Sequence, residues 1–204
     1  MYNIAVFVSG RGSNLSAIVE CRKEELKTVR VKAVFSNNPV CYAFEIAKKH
    51  SIPSYVVSAG EENSGLNDRQ LSEILVSLNI NLIVLAGYLK KIPENIIEQF
   101  SNKIINIHPA LLPSFGGKGM YGINVHKAVF QASQQVSGAT VHFVNNNFDE
   151  GKIIAQKAID INGVSSPEEI AEKVLRIEHE ILPYVIGKFA TAKVIIENGR
   201  VKIV

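Results

Sequence analysis

Asn106 and His108 close the apolar run Lys103-Ile-Ile-Asn-Ile107, and Pro109 follows them. In an extended chain, residues two apart point to the same side. The amide of Asn106 can donate to a developing oxyanion, and the imidazole of His108 can give or take a proton near neutrality. Pro109 biases His108 toward an extended backbone. A third group, Asp149, lies in the polar stretch Asn145-Asn-Asn-Phe-Asp-Glu-Gly151. A carboxylate there would set the tautomer of His108 or raise its basicity. The same residues also fit a plainer account, with His108 satisfied by local backbone and Asp149 forming a turn. If they do act together, the chemistry is proton transfer and oxyanion stabilisation.

A second feature is Ser9-Gly-Arg-Gly-Ser-Asn-Leu15. It follows an apolar strand and opens a helix, whose first N–H groups lack partners and attract anions. Gly12, Ser13 and Asn14 suit a single phosphate. Leu15 stands where the dinucleotide fingerprint needs its third glycine, and no acidic residue closes the second strand. A P-loop would need a Gly-Lys-Ser/Thr ending, which is missing. A simple helix cap explains the turn as well, and Arg11 reads equally as an anion contact or a solvated residue. His142 interrupts an apolar strand and reads as packed or supporting rather than catalytic. No His, Cys and acidic cluster has the spacing of a metal site. Cys21 and Cys41 are isolated, and no Ser or Cys nucleophile with its own base is visible.

The elements that must position these groups alternate strand and helix. Apolar runs at 4–8, 31–35, 53–57, 82–85 and 103–107 read as strands. Leu15, Ile18 and Val19, then Leu71, Ile74, Leu75 and Leu78, recur at helical spacing. Continuous apolar strands separated by helices predict an α/β fold, an open and mostly parallel sheet with helices on both faces. The second half changes character. A long irregular segment covers Gly116-Gly-Lys-Gly-Met-Tyr-Gly122, and a helix is predicted over 125–132. Strands at 139–144 and 152–156 form a hairpin that makes this part mixed. Ser166-Pro-Glu-Glu169 predicts a capping box opening a long helix, which Pro183 would kink or interrupt. A terminal hairpin turns at Asn198-Gly199. The polar connection 58–65 has no periodicity.

Composition narrows the class. The 204 residues are 47% hydrophobic and 20% charged, which excludes a disordered tail or a fibre. Such a length buries roughly 70% of the extended surface. It also allows two small domains. A net charge of +3 is too mild to argue for nucleic acid. No apolar stretch reaches the roughly 20 residues of a membrane span. The N-terminus carries no basic and apolar leader pattern. Cytoplasmic and soluble is the expectation, and composition leaves open whether the chain is a monomer or homodimer.

Ser9-Gly-Arg-Gly-Ser-Asn-Leu15, Leu85-Ala-Gly-Tyr88, Asn106-Ile-His-Pro-Ala-Leu-Leu-Pro113 and Phe148-Asp-Glu-Gly151 occur in that order. Together they closely resemble the phosphoribosylglycinamide formyltransferase family of the formyltransferase superfamily, from about residue 3 to at least 187. The resemblance implies a Rossmann-like formyltransferase fold and a single domain over 1–204. Its ribotide phosphate site would lie in the N-terminal half, and its folate and catalytic site around 85–151. It implies 10-formyltetrahydrofolate as formyl donor and glycinamide ribonucleotide as acceptor in purine biosynthesis, with no metal. Gly12, Ser13 and Asn14 would cradle the ribotide phosphate. Asn106, His108 and Asp149 would be catalytic. Leu89, Lys90, Lys91 and Ile92 would form the folate-side segment.

Lys90 stands where some members carry arginine. The arginine that often helps hold the ribotide phosphate is missing, and Ser64 or its neighbours stand there instead. Arg69 or Lys118 could compensate. The 116–122 loop is longer than in some members. In the implied reaction the glycinamide amine attacks the formyl carbon on the folate N10. Asn106 and protonated His108 stabilise the tetrahedral adduct, and Asp149 keeps His108 charged. Three related enzymes use the same group or fold: formyltetrahydrofolate deformylase, methionyl-tRNA formyltransferase and the sugar-nucleotide formyltransferases. Each usually carries extra domains for which this length leaves no room. A non-catalytic nucleotide-binding module fits less well, because the dinucleotide fingerprint is broken.

Overall fold

The computed structural model describes residues 1–58 and 65–204. Residues 59–64, which include Ser64 and most of the polar connection, lie outside it. The chain forms two compact units, Met1–Ile105 and Asn106–Val204.

The first unit opens with β1 (Tyr2–Val8), α1 (Ser13–Val19), a short 3-10 turn at Glu24–Leu26 and β2 (Val29–Ser36). It continues with α2 (Ala43–Lys49), β3 (Ser54–Val56), α3 (Asp68–Ser77), β4 (Leu82–Leu85) and α4 (Glu94–Gln99). β1 pairs in parallel with β2 on one side and β4 on the other, with Phe7 opposite both Phe35 and Leu85. β3 extends the sheet beside β2, also in parallel. Ile4 through Val8 are fully buried. Such strands read as unbroken apolar runs because both faces are covered. Phe7 stacks on Phe35 at 4.8 Å, and Phe35 on Tyr55 at 5.2 Å. At the start of α3, Asn67 accepts from the Gln70 amide while the Gln70 side chain accepts from the Asn67 amide. This reciprocal cap satisfies two otherwise orphaned donors.

β5 (Ile104–His108) crosses into the second unit, which continues with α5 (Ile123–Gln131), β6 (Val136–Phe143) and β7 (Ile153–Asp160). α6 (Pro167–Thr191), β8 (Val194–Glu197) and β9 (Arg200–Ile203) complete it. β6 and β7 form the expected antiparallel hairpin, though β6 starts three residues before its apolar run because Val136, Ser137 and Gly138 also pair. α6 buries Ile170, Val174, Ile181, Leu182, Val185 and Ile186 along one face. The capping box at its start is displaced. Ser166 accepts from the Glu169 amide, but the Glu169 carboxylate accepts from Ser165 rather than Ser166. The helix runs on through Pro183 to Thr191. Pro183 is buried within it.

The seven strands β1–β7 make one mostly parallel sheet, ordered β3-β2-β1-β4-β5-β6-β7 and mixed at β6–β7. In the first unit the strand order reverses direction at β1, between β2 and β4. Open α/β sheets bind ligands at such a reversal, beyond the carboxyl ends of the strands.

Candidate functional site

The carboxyl end of β1 leads into Ser9, Gly10 and the turn that starts α1. Gly12 adopts a left-handed φ of 74°. A Cβ there would lie 2.7 Å from the Cβ of Ala43, so glycine is required on both counts. Ser13 begins the helix and Asn14 is buried within its first turn. The carboxyl end of β4 leads into the segment 86–92. Leu89, Lys90 and Lys91 are exposed there, whereas the Ile92 side chain is buried at 2% exposure. Ile92 therefore offers a ligand its main chain only. Arg69 is exposed and pairs with Glu73 at 2.9 Å along α3, the ordinary (i, i+4) contact of a solvated helix face. Lys118 is exposed.

In the second unit, β5 carries Asn106 and His108 as alternate residues, and its pairing extends through His108. The structure brings both of them, with Asp149, into one polar cluster. His108 Nε2 lies 2.8 Å from the Phe115 carbonyl, which can only accept, so Nε2 carries a proton. Its Nδ1 then faces Asp149 Oδ2 at 3.5 Å. The Gly117 amide donates to the same carboxylate oxygen at 2.8 Å. Asn106 Nδ2 lies 3.1 Å from His142 Nε2, and His142 Nδ1 lies 2.8 Å from the Phe143 carbonyl. The Phe143 carbonyl can only accept, so His142 Nδ1 carries a proton, and Nε2 shares a hydrogen bond with the Asn106 side-chain amide. That bond fixes which way the amide points. His142 Nε2 also approaches Asp149 Oδ1 at 3.5 Å.

Asp149 itself has a left-handed φ of 58°. Gly151, two residues on, packs directly against the Phe143 carbonyl, where any Cβ would overlap it. The Asp-Glu-Gly spacing therefore holds the carboxylate beside both histidines. The backbone after His108 is tied down as well. Thr140 donates to the Ala110 carbonyl at 2.6 Å and accepts from the Leu112 amide at 3.1 Å. Gln156 donates to the Leu112 carbonyl at 2.8 Å.

Charge in this cluster is set by burial. Burial holds His108 below the ordinary histidine pKa, and the His142 charge adds to the lowering. The Asp149 carboxylate and the Phe115 carbonyl oppose it without prevailing. Asp149 thus favours the charged form of His108, as expected, while desolvation in the free protein works against it. For Asp149, burial alone would push the carboxyl up. The bond with His142, the His108 charge and the Gly117 amide overcome that and leave it below the usual carboxylate value. His126, on α5, is pushed down to about 4 by burial and then by His108. Its Nδ1 has no hydrogen-bond partner among the described residues.

Sequence reasoning set His142 aside as a supporting residue, and the structure gives it that place, against both Asn106 and Asp149. It missed the Phe115 carbonyl and the Gly117 amide, which carry no side-chain signal. The polar alternation of Thr140 and His142 inside an apolar strand was the available clue. Among the described residues, no group of three or more His, Cys, Asp or Glu could hold a metal ion.

Residues 2–186 match the formyl transferase family. The chain belongs to that family. It is 40% identical over 193 residues to a chloroplastic phosphoribosylglycinamide formyltransferase of Arabidopsis thaliana, a match covering 94% of this chain. The chain spans 66% of that plant protein's length, just under two thirds. It is 37% identical to the phosphoribosylglycinamide formyltransferase of Bacillus subtilis, over 91% of this chain and 93% of that one. A crystal structure of the Anaplasma phagocytophilum phosphoribosylglycinamide formyltransferase superposes with a TM-score of 0.88 at 32% identity, covering 99% of this chain and 93% of that one. The seven-stranded sheet of this formyl transferase is thus the fold of its relatives. Among the described residues, no helix is long and apolar enough to cross a membrane.

Proposed function

We propose that this chain is a phosphoribosylglycinamide formyltransferase. It transfers the formyl group of 10-formyltetrahydrofolate to the amino group of N1-(5-phospho-D-ribosyl)glycinamide. The products are the N2-formyl ribotide and tetrahydrofolate, in de novo purine biosynthesis. Membership of the formyl transferase family supports the reaction class. The observation that carries the mechanism is the cluster in which Asp149 lies 3.5 Å from His108 and His142 orients the Asn106 amide. The reading takes residues 1–204 as one working formyltransferase domain, acting in the cytoplasm on small molecules.

The substrate amine attacks the formyl carbon, and the carbonyl oxygen becomes negative. The Asn106 amide and His108 stabilise that oxygen. His108, held below the ordinary histidine pKa by burial, takes up the proton that the attacking amine releases, and Asp149 faces the resulting imidazolium until that proton passes on. The proton lost by the attacking nitrogen ends on the folate N10 as the C–N10 bond breaks. No covalent enzyme intermediate forms. Gly12, Ser13 and Asn14 hold the ribotide phosphate, and Leu89, Lys90, Lys91 and Ile92 line the folate through main chain and apolar contact. Holding two substrates in one pose supplies much of the remaining acceleration.

The test is to mix the protein with 10-formyltetrahydrofolate and follow folate release with and without glycinamide ribonucleotide. Ribotide-dependent release with formation of the formyl ribotide is expected. Release that ignores the ribotide would instead identify a deformylase. Binding without any turnover would leave a nucleotide-binding module. His108→Ala should retain ribotide binding and lose roughly a hundred- to thousandfold in turnover, about 3–4 kcal/mol.

A further inference from the structure

Ser9 is the first residue beyond β1, at the strand reversal, and its hydroxyl makes two bonds. It donates to Asn37 Oδ1 at 2.6 Å and accepts from the Leu89 amide at 2.9 Å. The Ser9 amide in turn donates to the Gly87 carbonyl at 3.1 Å. One small side chain thus joins the carboxyl ends of three neighbouring strands, β2, β1 and β4. On one side of it begins the turn containing Gly12, Ser13 and Asn14. On the other lies the segment starting at Leu89. The turn is further pinned by the Cys41 thiol, which lies 3.0 Å from the Gly10 carbonyl.

We propose that Ser9 is a positioning residue that ties the ribotide-phosphate turn to the folate-side segment, so that one hydroxyl sets the geometry of both substrate sites. The proposal rests on the assignment of those two segments made above. Its physical basis is that the Leu89 amide donates to the Ser9 hydroxyl, a bond that reaches across 80 residues of sequence. A hydroxyl is also the smallest group that can donate in one direction and accept in another. Alanine removes both bonds. Cysteine would keep the approximate size with a much weaker donor.

The test compares Ser9→Ala and Ser9→Thr with the wild-type protein. Steady-state kinetics should show both KM values, for ribotide and for folate, rising about fivefold or more in Ser9→Ala, the worth of one ordinary hydrogen bond. The turnover number at saturation should change less than either. Ser9→Thr keeps the hydroxyl and should restore both KM values. A purely structural role would lower activity through the folded fraction and leave both KM values alone. Hydrogen exchange gives a readout independent of turnover. The Leu89 amide should exchange at least about tenfold faster in Ser9→Ala, with core amides of β1 unchanged.

Wild-type KM values in Ser9→Ala, a change confined to one substrate, or an equally protected Leu89 amide would each overturn the proposal. If Ser9→Ala does not fold, Asn37→Ala decides. It frees the hydroxyl from one partner and should raise both KM values by a smaller factor, and unchanged values would overturn the link. Absence of ribotide-dependent transfer in the wild-type protein would sink the functional reading alone, because the Leu89 exchange measurement still decides whether Ser9 holds the segment.

Discussion

His126 gives stability a pH dependence that can be worked out in advance. The residue is 6% exposed, its Nδ1 lacks a partner among the described residues, and burial followed by the His108 charge lowers its pKa from 6.5 to about 4. The folded state therefore holds His126 neutral where the unfolded chain would protonate it. Between those two values the unfolded state binds more protons, so stability is fully present above 6.5 and declines as pH falls. The full difference corresponds to about 3.4 kcal/mol below pH 4, of which about 2 kcal/mol is already lost at pH 5. Replacing His126 by Leu removes this titration and fills the same buried space. Urea unfolding at pH 7.5, 6.5, 5.5 and 5.0 would measure it. The wild-type protein should lose about 2 kcal/mol more than His126→Leu between pH 7.5 and 5. His179, whose pKa is also lowered by burial, acts with the same sign in both proteins and cancels in the difference. Parallel pH profiles for the two proteins would refute the reasoning.

Two further outcomes follow from the polar cluster. Asp149→Asn should keep the acceptor for the Gly117 amide but remove the charge facing His108. His108 should then titrate at lower pH than in the wild-type protein by NMR, with turnover down at least about a hundredfold. An unchanged His108 titration would refute the electrostatic link. Gly151→Ala forces a methyl onto the Phe143 carbonyl and should cost about 3 kcal/mol or more, read as a fall in melting temperature. A variant that melts within a degree of wild type would show that the loop yields.

Much of the architecture was legible along the chain. β4 coincides with a continuous apolar run, and β1, β2 and β5 each contain one, because the stretch of a parallel strand covered on both faces is apolar. The β6–β7 hairpin and the start of α6 followed from turn and cap residues. Pro183 does not end α6, which runs on to Thr191. The capping arm of Glu169 moved to Ser165. Several amides near a helix start lie within reach of one carboxylate, and geometry selects among them.

For the site, residue type and spacing marked Asn106, His108 and Asp149 as able to do acid–base and oxyanion chemistry, and marked Gly12, Ser13 and Asn14 as an anion turn. These are properties of side chains and of local backbone, which a sequence carries directly. The tertiary structure decided which of these groups meet and in what state of charge. It placed His142 between Asn106 and Asp149, gave His108 the Phe115 carbonyl as partner, and put burial ahead of Asp149 in setting the His108 pKa. It also made Ser9 a junction between segments 80 residues apart. Desolvation and long-range hydrogen bonds depend on what the rest of the chain packs around a group, and no local window of sequence contains that.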